Sequence, residues 1–126
     1  MSDPTRIPTR SREIVARRSD GRCERCGGPG SDWHHRRRRR IVEHRHCPCN
    51  GVRLCSTCHR WAHANPEAAR ASGFIVPSHL RPQDVPIRAH GMWWRHDCDG
   101  DFDDVDEADL VVAEGGPVLR TLDYGT

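Results

Sequence analysis

Two Cys-x-x-Cys pairs, "CERC" at residues 23–26 and "CSTC" at residues 55–58, constrain this chain more than any other feature. Two thiolates on one tight turn can share a tetrahedral ion, and two such turns close its coordination sphere. Apolar residues make up 35% of the 126 residues, enough for one small domain but not for a generous core. Binding of structural zinc contributes on the order of 10 kcal/mol to folding, which a chain of this kind needs. Cys23, Cys26, Cys55 and Cys58 are therefore expected to hold a structural Zn²⁺. The chain opens with "MSDPTRIPTR" and no apolar leader, so the expected setting is a reducing cytoplasm, where paired cysteines more often hold metal than form disulfides. A thioredoxin-like redox pair fits poorly, because there are two pairs and no matching strand-helix pattern. No run approaches membrane-spanning length.

Charge divides the chain in two. Residues 1–63 carry fifteen arginines against six acids, a net +9, and residues 64–126 carry five arginines against twelve acids, a net −7. The first half thus reads as a polyanion binder. Within it, "WHHRRRRR" sets His34 and His35 directly before five arginines. Standing alone, such a run is as readily a solvated basic patch as a contact for phosphate. If several of its guanidinium groups neutralise phosphates, they give strong, salt-sensitive and sequence-independent affinity for DNA.

A flexible arm over residues 1–10 precedes a predicted helix over 11–18, with Ile14 and Val15 turned inward and Gly21 placed to end it. Trp33 to the histidines reads as a strand, residues 36–49 as an exposed loop with a strand at Ile41 and Val42, and residues 52–54 as the next strand. A helix is expected over 56–64, capped by the Ser56 hydroxyl, and a second over 66–72, stopped by Gly73. "FIV" and "IRAHGMWWRH" look like strands within a C-terminal extension over 74–98, with Trp93 and Trp94 as packing residues. Residues 99–126 read as a solvated acidic tail or a short helix; no aspartate of "DCDGDFDDVDE", taken as the start of a calcium loop, puts a glycine at its sixth position. Such a tail could fold back on the basic face.

His59 and His63 lie four apart on the predicted helix, so their rings project from one face in a metal-chelating geometry. Alternation along a strand sends His34 and His35 to opposite sides, so the two cannot readily share one task. In "HCPCN", Cys47 and Cys49 could replace one cysteine pair, could join His44 and His46 in a second site, or could be two small residues in a turn. Cys98 stands among aspartates and reads as incidental.

The order "CERC", "WHH", "CNGVRLC" and "CSTCHRWAHANP" resembles the HNH endonuclease family, particularly its small phage-type members. The likeness covers residues 23–66, and Asn50 stands five residues before Cys55, as in the family motif. It implies a small α+β fold with a ββα-metal core and a four-cysteine zinc knuckle, spanning residues 11–73. It also implies that His35 is the general base, that His34, His59 and His63 hold one catalytic divalent cation (Mg²⁺, Mn²⁺, Ni²⁺ or Zn²⁺), and that Asn50 ties the loop so that His35 is held at the correct angle. The implied substrate is DNA, with Arg36 to Arg40, Arg53 and Arg60 as candidate phosphate contacts, and the implied partners include phage terminase subunits. The chain departs from the family where "RRRRRIVEHRHCPC" replaces a Pro-x-Ser-x-Gly-Gly type loop, so His44 or His46 could stand in for a ligand. The competing reading is a noncatalytic zinc-ribbon DNA-binding or adaptor protein, which would need the cysteines and arginines but not the four histidines.

Overall fold

The computed structural model describes residues 6–113 and 116–119. It is a small α+β structure in which three α-helices are threaded among short antiparallel strands. The helices are α1 (Thr9–Ser19), α2 (Ser56–Ala64) and α3 (Pro66–Ala71). Residues 1–5 of the expected N-terminal arm, and 114–115 and 120–126 of the expected tail, lie outside the described residues.

Strands β1 (Asp32–His35) and β2 (Gly51–Leu54) pair antiparallel, with His34 opposite Val52 and His35 opposite Gly51. Gly51 is required there: a Cβ would lie 1.9 Å from Cζ2 of Trp33, whose ring crosses it. β2 leads directly into α2, whose first turn is capped by Cys55 rather than Ser56. The Cys55 sulfur accepts a hydrogen bond from the Cys58 N–H, so the second Cys-x-x-Cys turn and the helix cap are one feature.

Pro66 starts α3, because a proline at the first helical position loses no hydrogen bond the helix would have made. The helix ends in a Schellman turn, with the Phe74 N–H on Ala69 O at 2.8 Å and the Gly73 N–H on Arg70 O at 3.1 Å. Gly73 takes a φ of +83° that a side chain would strain, and a Cβ on it would meet Pro86 O at 2.0 Å. The turn leaves the carbonyls of Gly73 and Phe74 facing β1, where both are used.

The second half of the chain is more ordered than its acidity suggests. "IRAHGMWWRH" is two strands, β3 (Ile87–Ala89) and β4 (Met92–His96), reversed at His90 and Gly91, whose φ values of 55° and 75° suit a two-residue hairpin turn. The expected acidic tail is instead structured from residue 102. β5 (Phe102–Val105) adds to β4, and β6 (Leu110–Ala113) pairs with β7 (Gly116–Leu119). Cross-strand contact accounts for the difference: β5 lies against β4 with Phe102 opposite His96 and Asp104 opposite Trp94, and the Phe102 ring stands edge-on to both Trp94 and His96. Residues 74–76, and Ile41 and Val42, form no strand.

The interior has two apolar clusters. One joins Val52, Leu54, Ala62, Ala69, Phe74 and Ile87 with buried Cys23 and Cys58, and the other joins Val76, Leu80, Val85 and Val118. Both are small, and polar groups fill what they leave. Arg36, expected at the surface, is 2% exposed. Its Nε donates to Gly73 O at 2.8 Å, its NH1 group to Cys49 O at 2.8 Å and Pro82 O at 3.0 Å, and its NH2 group to Val85 O. Arg37 is buried too, donating to Leu80 O at 2.9 Å and Glu43 O at 2.6 Å. Arg18 forms a third internal tie, paired with both Glu24 oxygens at 2.7 and 2.9 Å and bonded to Pro48 O and Gly51 O. Neither Arg36 nor Arg37 has its guanidinium turned to the surface, because backbone carbonyls already occupy their forks.

Arg36→Lys tests this directly, since an ammonium keeps the charge but cannot span four carbonyls. The variant is expected to lose about 3–5 kcal/mol of stability in urea denaturation, as expected for a broken buried charge network. Arg38→Lys, at an exposed position, is expected to stay within about 0.5 kcal/mol of wild type.

Candidate functional site

Two groups of side chains predicted from the sequence come together around the β1–β2 hairpin and α2. The first is Cys23, Cys26, Cys55 and Cys58, whose sulfur atoms all lie within 4.8 Å of one another. A tetrahedral ion with metal–sulfur bonds of about 2.3 Å requires sulfurs about 3.8 Å apart, and Cys26 Sγ and Cys55 Sγ are separated by 3.9 Å. Backbone N–H groups support the sulfurs: Cys26 donates to Cys23 at 3.5 Å, Gly28 to Cys26 at 3.5 Å and Cys58 to Cys55 at 3.4 Å. Burial pushes the Cys23 thiol up, but backbone N–H groups of Cys26, Cys55 and Arg25 outweigh it and bring the thiol down to about 7. Arg25 adds a charge, donating to Cys58 Sγ at 3.4 Å while its guanidinium rests 3.6 Å over the Trp61 ring. The four cysteines are thus positioned to hold a metal ion.

The second group is His34, His59 and His63, with ring centroids 4.9 to 5.6 Å apart. Strand alternation aims His34 at α2, and the i, i+4 spacing brings both helical rings to meet it. His34 Nε2 lies 2.6 Å from the Phe74 carbonyl left facing β1 by the Schellman turn. A carbonyl can only accept, so Nε2 carries the proton and Nδ1 keeps its lone pair. That Nδ1 is buried without a hydrogen-bond partner, so its lone pair is available to an ion that the three imidazoles could hold. Burial holds the His34 ring down to about 4, so it is neutral at physiological pH.

Asp32, which sequence reasoning missed, lies on the same face of β1. Its Oδ2 is 3.1 Å from His59 Nδ1, a contact that orients the imidazole and would leave Nε2 available as a metal donor. The hydrogen bond with His59 holds the Asp32 carboxyl below its ordinary range. The signal was available: the period of two that separates His34 from His35 puts Asp32 with His34.

His35 is half-buried on the other side of the strand, its Nε2 3.4 Å from His46 Nδ1. Burial, then the charges of Arg39 and His46, holds its ring down to about 4, so it too is neutral at pH 7. Asn50 is 1% exposed and ties the loop between the strands. Its Oδ1 accepts the Arg37 N–H at 2.8 Å and its Nδ2 donates to Arg45 O at 3.0 Å.

A cleft of 850 Å³ exposes both histidine faces at once, lined by His34, His35, His59, His63, Arg38 and Arg39. A more apolar cleft of 470 Å³ between α3 and β6–β7 shares Arg70 with it but has no histidine or cysteine in its lining. Of the arginines expected to meet phosphate, Arg36, Arg38 and Arg39 line the histidine cleft, Arg36 as a buried residue committed to carbonyls and the other two exposed, and Arg40 is exposed as well. Arg60 is exposed on α2 but does not line the cleft, and Arg53 is half-buried opposite Trp33. Comparison with protein-family models, curated proteins and solved structures finds no match. No helix among the described residues is long and apolar enough to cross a membrane.

Because the Cys55 turn is also the cap of α2, removing metal from the four cysteines is expected to unravel the helix that carries His59 and His63. A strong chelator should abolish most helical circular dichroism at 222 nm, and Zn²⁺ should restore it, as an energy on the order of 10 kcal/mol would require. Helicity unchanged after complete metal removal would refute the coupling.

Proposed function

We propose that this protein is a metal-dependent endonuclease of the HNH type, built on a ββα-metal core and hydrolysing DNA phosphodiester bonds. The observation that carries the reading is the partnerless Nδ1 of His34 facing His59 and His63, with neutral His35 on the neighbouring wall of an arginine-lined cleft. Three protein ligands leave a coordination position open, whereas the four cysteines form a closed set suited to structural zinc. A noncatalytic DNA-binding module or adaptor would need the closed set and the arginines but has no use for the open one.

When a divalent cation is bound by His34, His59 and His63, it supplies Lewis acidity at the scissile phosphate and at the leaving 3′ oxygen. His35 takes a proton from the attacking water, for which its neutral ring is already in the correct state. His46 and the loop tied by Asn50 hold that ring in place. Arg38 and Arg39 draw the backbone phosphate into the cleft, with planar forks that match its non-bridging oxygens. Asp32 keeps His59 in the tautomer that ligates through Nε2.

Plasmid cleavage after EDTA treatment and separate repletion with Mg²⁺, Mn²⁺, Ni²⁺ and Zn²⁺ tests the reading. At least one cation should restore cutting, and His35→Ala should lower the rate about 100-fold or more without changing metal content. DNA binding without cutting under every cation would favour the binding module instead. Asp32→Asn is expected to weaken cation affinity about 10- to 100-fold, measured as the concentration that restores half-maximal cutting. Arg38→Ala and Arg39→Ala should each reduce the slope of log affinity against log salt by about 1.

A further inference from the structure

Cys98 is not the isolated residue that the sequence suggests. The turn between β4 and β5 carries it to Cys49 and His44, 49 and 54 residues away in the chain. Cys98 Sγ is 3.7 Å from Cys49 Sγ and 3.8 Å from His44 Nδ1, and with Cys47 Sγ the four donor atoms all lie within 4.8 Å of one another. A disulfide would need sulfurs about 2.05 Å apart. The observed spacing is instead the edge of a tetrahedron around an ion with bonds of about 2.0 to 2.3 Å.

We propose that His44, Cys47, Cys49 and Cys98 hold a second structural zinc ion, which fastens the loop between β1 and β2 to the β4–β5 turn. Three thiolates and an imidazole are a soft tetrahedral set that selects zinc over magnesium or calcium, and four protein donors leave no open position for chemistry. The backbone is arranged to present these donors. His44 takes a left-handed φ of 57°, uncommon for a residue other than glycine. Its outer Nε2 lies 3.6 Å from Glu43, a carboxylate placed to orient the ring. On the other side, Asp97 Oδ1 accepts the N–H groups of Asp99 and Asp101 at 2.9 and 3.0 Å, closing the turn that presents Cys98.

The site lies against the loop's other ties. Cys49 O accepts from Arg36, and Cys47 O accepts the N–H groups of Asn50 and Gly51. Zinc here would do for a highly charged loop what an apolar core does elsewhere. The proposal does not depend on nuclease activity, and its test contains no cleavage assay.

The full-length protein, purified with zinc and dialysed against a weak chelator, is treated with an alkylating reagent under native conditions, and each cysteine is scored by peptide mapping. Cys47, Cys49 and Cys98 should resist labelling together with the four knuckle cysteines, and should become labelled once zinc is stripped. In native mass spectrometry, Cys98→Ala and Cys49→Ala should each hold one zinc fewer than wild type while keeping Cys23, Cys26, Cys55 and Cys58 protected. Wild-type protein whose Cys47, Cys49 and Cys98 label as fast with zinc as without it would overturn the proposal, whether or not the variants fold. A Cys98→Ala variant that retains the full zinc count would overturn it as well.

Discussion

The guanidinium of Arg36 is the interaction on which the arrangement depends. It follows His35 directly and turns into the protein, where it bonds carbonyls from the α3 C-terminal turn, from Cys49 and from the segment leading into β3. Its main chain is fixed as well: its N–H donates to Asn50 O and its carbonyl accepts the Val76 N–H. Burial lowers the Arg36 pKa to about 9, which still leaves it charged at neutral pH. Removing such a charge from water is costly unless its donors are paired, and four of its five N–H groups find carbonyls, so the carbonyls and the arginine specify one another. The end of β1 is therefore held to the rest of the molecule at the residue after the histidine pair.

This solution suits a chain with few large apolar residues. The two apolar clusters are modest, and the loop between β1 and β2 passes among them carrying mostly charged groups. Loop backbone of this kind is stable only where its polar groups are satisfied. Arg18, Arg36, Arg37 and Asn50 provide that satisfaction from four directions, and the cysteine turn does the same for the start of α2. The same ties hold the strand and helix bearing the histidines, so cleft geometry and fold stability rest on shared contacts.

What was legible in the sequence was what a short-range rule could reach. The limits of α2, the gathering of four cysteines, and the parting of His34 and His35 to opposite sides follow from knuckle spacing, helical period and strand alternation, while the choice of His34 as the one facing His59 and His63 came from the resemblance alone. Cys98 carried no such signal, because its partners lie half the chain away and only the β4–β5 turn brings them near. The arginine run misled for a different reason. Composition predicts a solvated stretch, but an arginine whose fork matches a set of carbonyls can be buried, and no spacing in the sequence indicates which one. The acidic region misled because charge was weighed above what a single aromatic can do, Phe102 pairing opposite His96 and meeting the rings of Trp94 and His96 edge-on.

The arginine run is thus divided by the strand end it follows. Arg36 and Arg37 fall where the chain turns inward, and burial there commits their donors to carbonyls. Arg38 to Arg40 fall beyond that turn, where the chain is exposed and two of the three reach the cleft. One repeated residue type therefore serves two physical ends, because a guanidinium bonds a carbonyl or a phosphate oxygen by the same fork. Which end it serves depends on whether water or backbone surrounds it. The inward pair fixes the angle at which the histidines leave β1, and the outward three set the charge that a phosphate approaching those histidines would meet.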